Sequence, residues 1–216
     1  WDMESSDSDA TTVWNNNYVT IAQCNLIING ILRLESEGKL ASEDLADAKN
    51  ILGEAYMVRA MCYYDLATKF CNLYDANTAE EVLGIPLVDT YAPAADNSTF
   101  PPRSSLAATY SFILSDIGNA ESNLSTTGSQ GAVYLTTDAL TAFKARVALW
   151  MKDYDTALTN ATALINSQKY PLISNDQEFK QMWLNDIGSE LICQLFASKQ
   201  ELPTAMGSWF LDEITR

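Results

Sequence analysis

Apolar residues recur every three or four positions along most of the chain. From residue 14 to 32 this spacing predicts an amphipathic helix of about five turns, after an acidic, serine-rich loop at 1–12. Gly38 interrupts the pattern, and Ser42 to Asp44 predict the start of a second helix that reaches about residue 73. The apolar faces are formed by Trp14, Tyr18, Ile21, Asn25, Ile28 and Leu32, then by Leu45, Ala48, Leu52, Ala55, Cys62, Leu66 and Leu73.

Prolines and short extended stretches break the helical pattern after residue 75. The segment GIPLV (84–88) predicts extended chain, and Pro93, Pro101 and Pro102 predict a loop. Helical spacing then returns several times, at 105–124, 138–151, 154–167 and 177–183, with a connection at 126–131 and a strand-like segment at 190–196.

A short pattern occurs twice. Residues 56–63 and 143–150 each carry an aromatic residue, an arginine three positions later and a second aromatic four after that. Ala145 and Ala157 are small residues twelve positions apart, which allows two paired helices to approach closely, as in tetratricopeptide hairpins. The sequence therefore predicts an all-α fold of tetratricopeptide-like hairpins, with irregular loops and little or no strand.

Composition and charge exclude several classes of function. The 216 residues carry a net charge of −15, which repels phosphate backbones, so we expect no nucleic-acid partner. The chain has no histidine, which removes histidine-based catalysis and metal ligation. Residues 10–32 are uncharged, but five asparagines make this stretch too polar for a membrane span.

The remaining residues offer no recognisable catalytic or metal centre. The acidic cluster Glu4, Asp7 and Asp9 lacks the spacing of a calcium loop, and no glycine-rich phosphate loop is present. No carboxylate pair stands out for hydrolysis of glycosides. The cysteines at 24, 62, 71 and 193 form no CxxC pair, and the first two lie in apolar helical patterns that predict burial. We therefore expect no catalytic residue, no metal and no cofactor, while the disulfide state stays open.

Two arginines lie within apolar stretches. Arg59 is on the stripe of the long helix, and Arg146 is surrounded by apolar residues, so both are predicted to be buried structural arginines. A buried guanidinium needs a paired acid, and the candidates are Glu54, Asp65 and Asp116. The alternative is a clamp for a ligand carboxylate or phosphate.

The sequence contains more aromatic residues than the apolar faces of the predicted helices account for. An aromatic face packs well against the axial C–H groups of a sugar ring, although a loop aromatic more often serves packing. The aromatic residues in loop-like stretches are Trp1, Tyr74, Tyr91, Phe100 and Trp209.

At GEAYMVRAMCYYDL (53–66) the sequence closely resembles the SusD/RagB family of outer-membrane nutrient-binding lipoproteins of Gram-negative bacteria. Further motifs in the family's order nearly span the chain. They are Trp14-xxx-Tyr18-xx-Ile21-xxx-Asn25, GIPLV (84–88), Arg103-Ser104 with Tyr110-xx-Ile113-xx-Asp116-Ile117, Ala145-Arg146-Val147-Ala148-Leu149 with Tyr154-xx-Ala157, Tyr170-Pro171-Leu172, and Ser189-Glu190-Leu191-Ile192.

The resemblance implies a tetratricopeptide-like scaffold in a cell-surface protein of the outer membrane, without enzymatic activity. Such a protein captures glycans and passes them to a SusC-like TonB-dependent transporter. Residues 1–216 are expected to be one SusD-like helical region, a fragment without the family's lipidated N-terminal segment, its membrane anchor, or its C-terminal half. Trp1 and Trp209 are the expected ligand-binding residues. There are two alternatives to glycan capture: peptide capture by a member of the same family, and a helical-repeat scaffold that binds a protein partner and no small ligand.

Overall fold

The computed structural model describes residues 8–92, 100–128, 135–185 and 188–194. Within these ranges the chain forms mainly helices, with a single two-stranded sheet. The elements are α1 (Ser8–Ser36), α2 (Leu45–Phe70), β1 (Leu83–Pro86), β2 (Arg103–Ser105), α3 (Leu106–Asn123), α4 (Thr137–Trp150), α5 (Tyr154–Ser167) and α6 (Asp176–Asn185). The predicted all-α fold is confirmed.

Helix α2 lies at the centre of the core and packs against α1 on one side and α3 on the other. The apolar stripes predicted from the sequence meet here, where Ile21, Tyr63 and Ile113 are almost wholly buried. Helices α4 and α5 form the predicted antiparallel hairpin, and α4 also contacts α3. The hydrophobic effect on these shared faces is what holds the helices together.

Four of the described helices begin at a side-chain cap, including α6, where Asn175 Oδ1 accepts a hydrogen bond from the Glu178 amide at 2.8 Å. Ser105 accepts a hydrogen bond from the Ala108 amide at 3.0 Å, and Thr136 accepts one from Ala139 at 3.1 Å. Asp153 accepts from the Thr156 amide at 3.1 Å at the start of α5. Each cap satisfies an amide that has no partner inside its helix.

The small sheet fixes the connection between α2 and α3. Strands β1 and β2 are antiparallel, with Leu83 opposite Ser105 and Pro86 opposite Arg103. The extended segment predicted at 84–88 is thus confirmed in its first half by β1. The residues that follow Pro86 then run along α1 and past Tyr63 of α2, where they form part of the site described below.

Some predicted boundaries are wrong. Helix α1 begins at Ser8, inside the predicted loop, and α2 ends at Phe70 rather than near residue 73. Residues 190–194 form no strand, and residues 195–196 of that predicted segment lie outside the described residues. None of the helices in the described ranges is long and apolar enough to cross a membrane.

Candidate functional site

Side chains from α1 and α2 hold the segment 86–89 through its main-chain atoms. The Tyr18 hydroxyl donates to the oxygen of Pro86 at 2.7 Å, and Asn29 Nδ2 donates to the oxygen of Asp89 at 3.3 Å. The Tyr63 hydroxyl donates to the oxygen of Val88 at 2.9 Å and accepts from its amide at 2.8 Å. An irregular segment therefore has a fixed course, because its main-chain groups are satisfied by helix side chains.

Asn25 connects this segment to a buried ion pair. Its Nδ2 donates to the oxygen of Val88 at 2.9 Å, and its Oδ1 accepts from Arg59 Nη1 at 2.7 Å. Arg59 in turn makes a bidentate pair with Asp116, with distances of 2.8 Å from Nε and 2.7 Å from Nη2. A continuous chain of hydrogen bonds runs from α3 through α2 and α1 to the segment 86–89.

The environment of Arg59 keeps its guanidinium charged. Burial by itself would lower its pKa, but the hydrogen bonds and the negative charge of Asp116 raise the pKa above its ordinary value. The guanidinium also lies 5.0 Å from the centroid of the Phe112 ring and 5.3 Å from that of Tyr56. Arg59 is 5% exposed and fully engaged with protein groups, so its role in the structure is to join helices. Burial raises the pKa of the Tyr63 hydroxyl from its ordinary value of 10 to about 12.

Two aromatic side chains project from the chain beyond this fixed segment. Tyr91 lies two residues after it and is 51% exposed, and Phe100, after the segment 93–99, is 63% exposed. Tyr74, another candidate, instead packs edge-on against Tyr110 with their centroids 4.8 Å apart. Of the five loop aromatics predicted from the sequence, Trp1 and Trp209 lie outside the described residues.

The structure corrects the prediction for Arg146, which is exposed rather than buried. Helix α4 turns Phe143 and Val147 toward the core, and the apolar neighbours Ala145 and Leu149 line an outer groove with Arg146. No acid in the described ranges lies within ion-pair distance of Arg146. Its side chain also lines a cavity of about 580 Å³ between α1, α2 and α4.

The chemistry available at this site is that of binding. Exposed aromatic rings can stack on a ligand, and the hydrogen bonds to the segment 86–89 fix the main chain as far as Asp89, two residues before Tyr91. Among the described residues no cluster of three acidic or cysteine side chains could hold a metal ion. The four cysteines are free, and Cys24 is the one that is buried.

Sequence reasoning identified Arg59 and Asp116 as a candidate pair but missed Asn25 as their link to the loop. A signal was present, because Asn25 is a polar residue on an otherwise apolar stripe, and the structure buries it completely. Sequence reasoning also missed Phe179 and Trp183, whose spacing of four residues places them on one face of α6.

Comparisons with known proteins agree with the fold. A sequence profile of the SusD-like family described as "Starch-binding associating with outer membrane" matches residues 1–149. The chain is 32% identical over 135 residues to SusD-like protein P38 of Formosa agariphila, covering 62% of this chain and 24% of that relative.

Solved structures of SusD superfamily proteins superpose on this chain. A SusD superfamily protein from Bacteroides thetaiotaomicron superposes with a TM-score of 0.72 at 30% identity, over 87% of this chain and 39% of the other. A SusD superfamily protein from Bacteroides vulgatus has a TM-score of 0.72 at 27% identity, over 88% of this chain and 41% of the other. The chain thus spans less than half the length of these relatives.

Proposed function

Since the chain belongs to the SusD-like family of starch-binding proteins associated with the outer membrane, we propose that it captures glycans at the cell surface and passes them to a SusC-like TonB-dependent transporter. The protein would be held at the outer membrane by a lipid anchor. Its function is binding, with no catalytic step and no cofactor.

The observation that supports glycan binding is the exposure of two aromatic rings, Tyr91, which lies two residues after the hydrogen-bonded segment 86–89, and Phe100. Aromatic residues are costly to leave in water, and most others in the described core pack against one another. An exposed ring on fixed main chain is a surface on which a pyranose can stack with little loss of conformational freedom. Trp1 and Trp209 are proposed as further ligand residues from the sequence.

A protein-interaction role is the second candidate, because the outer face of the α4–α5 hairpin is apolar. Leu149, Tyr154 and Leu158 are exposed there beside Ala157. Such a face suits a protein or peptide segment better than a sugar, because its side chains offer few hydrogen-bonding groups.

Titration of the 216-residue chain with oligosaccharides and peptides, followed by tryptophan fluorescence up to millimolar ligand, tests the proposal. A few stacked rings give dissociation constants on the order of micromolar to millimolar. We expect saturable binding of one glycan class that weakens in Tyr91→Ala, Phe100→Ala, Trp1→Ala or Trp209→Ala. Tyr154→Ala, which removes an exposed ring from α5, is the matched control and should bind as the wild type does. Saturation by peptides alone, or a flat response from folded protein, would contradict glycan capture by this region.

A further inference from the structure

The cavity between α1, α2 and α4 has a volume of about 580 Å³, which lies in the range of small-ligand sites. Most of its wall is apolar and includes Val58 and Met61 of α2, Leu135, and Phe143 of α4. Arg146 is the single positively charged residue among those that line it in the described ranges. From this combination we propose that the cavity binds small apolar carboxylic acids, a ligand class separate from the glycans of the proposed function.

The guanidinium of Arg146 is available to a ligand. Within the described ranges it makes no hydrogen bond, and no acid there lies within ion-pair distance of it. Lys144, two residues earlier on α4, by contrast pairs with Glu121 at 2.8 Å, and Arg59 is held by Asp116. A guanidinium and a carboxylate can form two parallel hydrogen bonds, so a carboxylate is the group that best matches Arg146.

One acid also faces the cavity, but its charge is compensated. Asp65 accepts from Asn17 Nδ2 at 3.0 Å and pairs with Lys69. The other polar side chain that α1 contributes to this wall, Thr20, donates to the main-chain oxygen of Asn16 at 2.9 Å. These groups satisfy one another, so a ligand carboxylate meets no uncompensated negative charge among them.

The Tyr64 hydroxyl provides a second donor in the same wall. Its ring packs edge-on against Phe143, with their centroids 5.6 Å apart. Burial raises the pKa of this hydroxyl, and the positive charge of Arg146 opposes the rise, so the two groups interact electrostatically. A ligand carboxylate can accept from Arg146 and from Tyr64, while the apolar part of the ligand lies against Val58 and Met61.

The charge of the whole protein narrows the class of ligand. The net charge of −15 opposes the approach of any anion, and it opposes a dianion more than a monoanion. An acid with a polar body, such as a uronic acid, would also lose its hydration against an apolar wall without enough partners to replace it. The cavity therefore favours monocarboxylates whose remaining surface is apolar, and their affinity depends on Arg146.

Calorimetric titration of the 216-residue chain with 3-phenylpropionate tests this site. We expect a dissociation constant on the order of millimolar or below. The neutral 3-phenylpropionamide and the polar acid glucuronate should each bind about fivefold more weakly or worse, and Arg146→Gln should weaken binding of 3-phenylpropionate by a similar factor. Lys144→Gln removes one positive charge from the same helix outside the cavity and should bind within about twofold of the wild type. Circular dichroism establishes that each variant retains its helical content.

Methyl NMR locates the ligand independently of the affinity. In protein labelled with carbon-13 at the methionine methyl groups, the Met61 signal, assigned by its loss in Met61→Leu, should shift as 3-phenylpropionate is added. Met57 lies four residues earlier on α2 but is 2% exposed in the core and does not line the cavity. Its signal is the internal reference and should shift much less.

Each outcome decides a separate part of the proposal. Equal binding of the acid and its amide, or unchanged binding in Arg146→Gln, would overturn the pairing of Arg146 with a carboxylate. Binding without a shift of Met61 would show that the ligand lies outside the cavity. If glucuronate binds as well as 3-phenylpropionate, the selection for apolar acids is wrong. If folded wild-type protein binds none of the three compounds, the site is refuted, and glycan capture, which the oligosaccharide titration tests, still stands.

Discussion

Asn25 donates from Nδ2 to the main-chain oxygen of Val88 at 2.9 Å, across 63 residues of sequence. The same carboxamide accepts from Arg59, whose other nitrogens hold Asp116. One side chain thus joins the buried ion pair of the helical core to the segment that leads to Tyr91. The course of the main chain that precedes an exposed aromatic residue is in this way linked to charged groups inside the scaffold.

Replacing Asn25 by alanine should destabilise the fold and loosen the segment 86–92. The change leaves one buried guanidinium N–H of Arg59 without its partner and removes one of the two hydrogen bonds to the Val88 oxygen, the one from Tyr63 remaining, which together costs about 1–3 kcal/mol. Urea denaturation measures the free energy of unfolding, and hydrogen exchange measures protection of the segment's amides. Asn29→Ala is the matched control. Its bond to Asp89 is longer, at 3.3 Å, and exposed, so its loss should cost less than about 0.5 kcal/mol. Equal losses in the two variants would contradict a special role for Asn25.

The Arg59–Asp116 pair should contribute far more to folding than the exposed pairs. Asp116→Ala leaves an uncompensated charge in the core and should lower the free energy of unfolding by about 3–5 kcal/mol. Glu121 pairs with Lys144 at 2.8 Å on the surface, and Glu121→Ala should cost at most about 1 kcal/mol. Urea denaturation of both variants gives the comparison. A small loss in Asp116→Ala would mean that water or another acid compensates Arg59.

Much of the scaffold could be predicted because helical periodicity is local. The stripes that contain Ile21 and Leu66 specify which face each helix buries, and Asp153 specifies where α5 begins. The same reasoning was wrong for Arg146, which was predicted to be buried because its neighbours in sequence are apolar. Successive residues of a helix are rotated by about 100°, so a residue between apolar neighbours can still face outward, as Arg146 does. Sequence proximity does not determine which side of a helix is covered.

The candidate site was less predictable, because it depends on contacts between distant segments. Asp116 was one of three possible partners of Arg59, and only the packing of α3 against α2 selects it. The bond from Asn25 to Val88 requires the sheet to direct the chain after Pro86 across α1. The exposure of Tyr91 depends on the course of the chain after Pro86, and no local sequence pattern indicates it.

Stability should fall as pH rises from about 9 to about 11, in part because of Cys24. Burial raises the pKa of its thiol from an ordinary value near 9 to about 11. In this window the thiol ionises in the unfolded chain but stays protonated in the folded one, so unfolding releases a proton. The free energy of unfolding then declines by up to about 1.4 kcal/mol per pH unit for this group. Below pH 9 the thiol is protonated in both states and contributes no slope.

Urea denaturation of Cys24→Ala under reducing conditions, at several pH values from 8 to 11.5, tests this. The variant should show a shallower decline than the wild type. Ile28→Val, on the same buried face of α1, should lower stability by about 0.5–1.5 kcal/mol at every pH and leave the slope unchanged. Parallel curves for Cys24→Ala and wild type would refute the assignment.

Alanine at Gly53 and at Gly118 should have opposite effects, although both glycines lie inside helices. A Cβ at Gly53 would meet the Leu124 amide nitrogen at 2.7 Å and the Asn123 carbonyl carbon at 3.1 Å. Main-chain atoms cannot rotate away, so α2 and α3 would have to separate, at a cost of about 1–3 kcal/mol. At Gly118 nothing lies within 4 Å of the added atom, and alanine should stabilise α3 by about 0.5–1 kcal/mol through its helix propensity. Thermal and urea unfolding of the two variants measure the direction and the size of each change in stability. Stabilisation by Gly53→Ala would show that the close approach of α2 to α3 near Leu124 is not needed for the core.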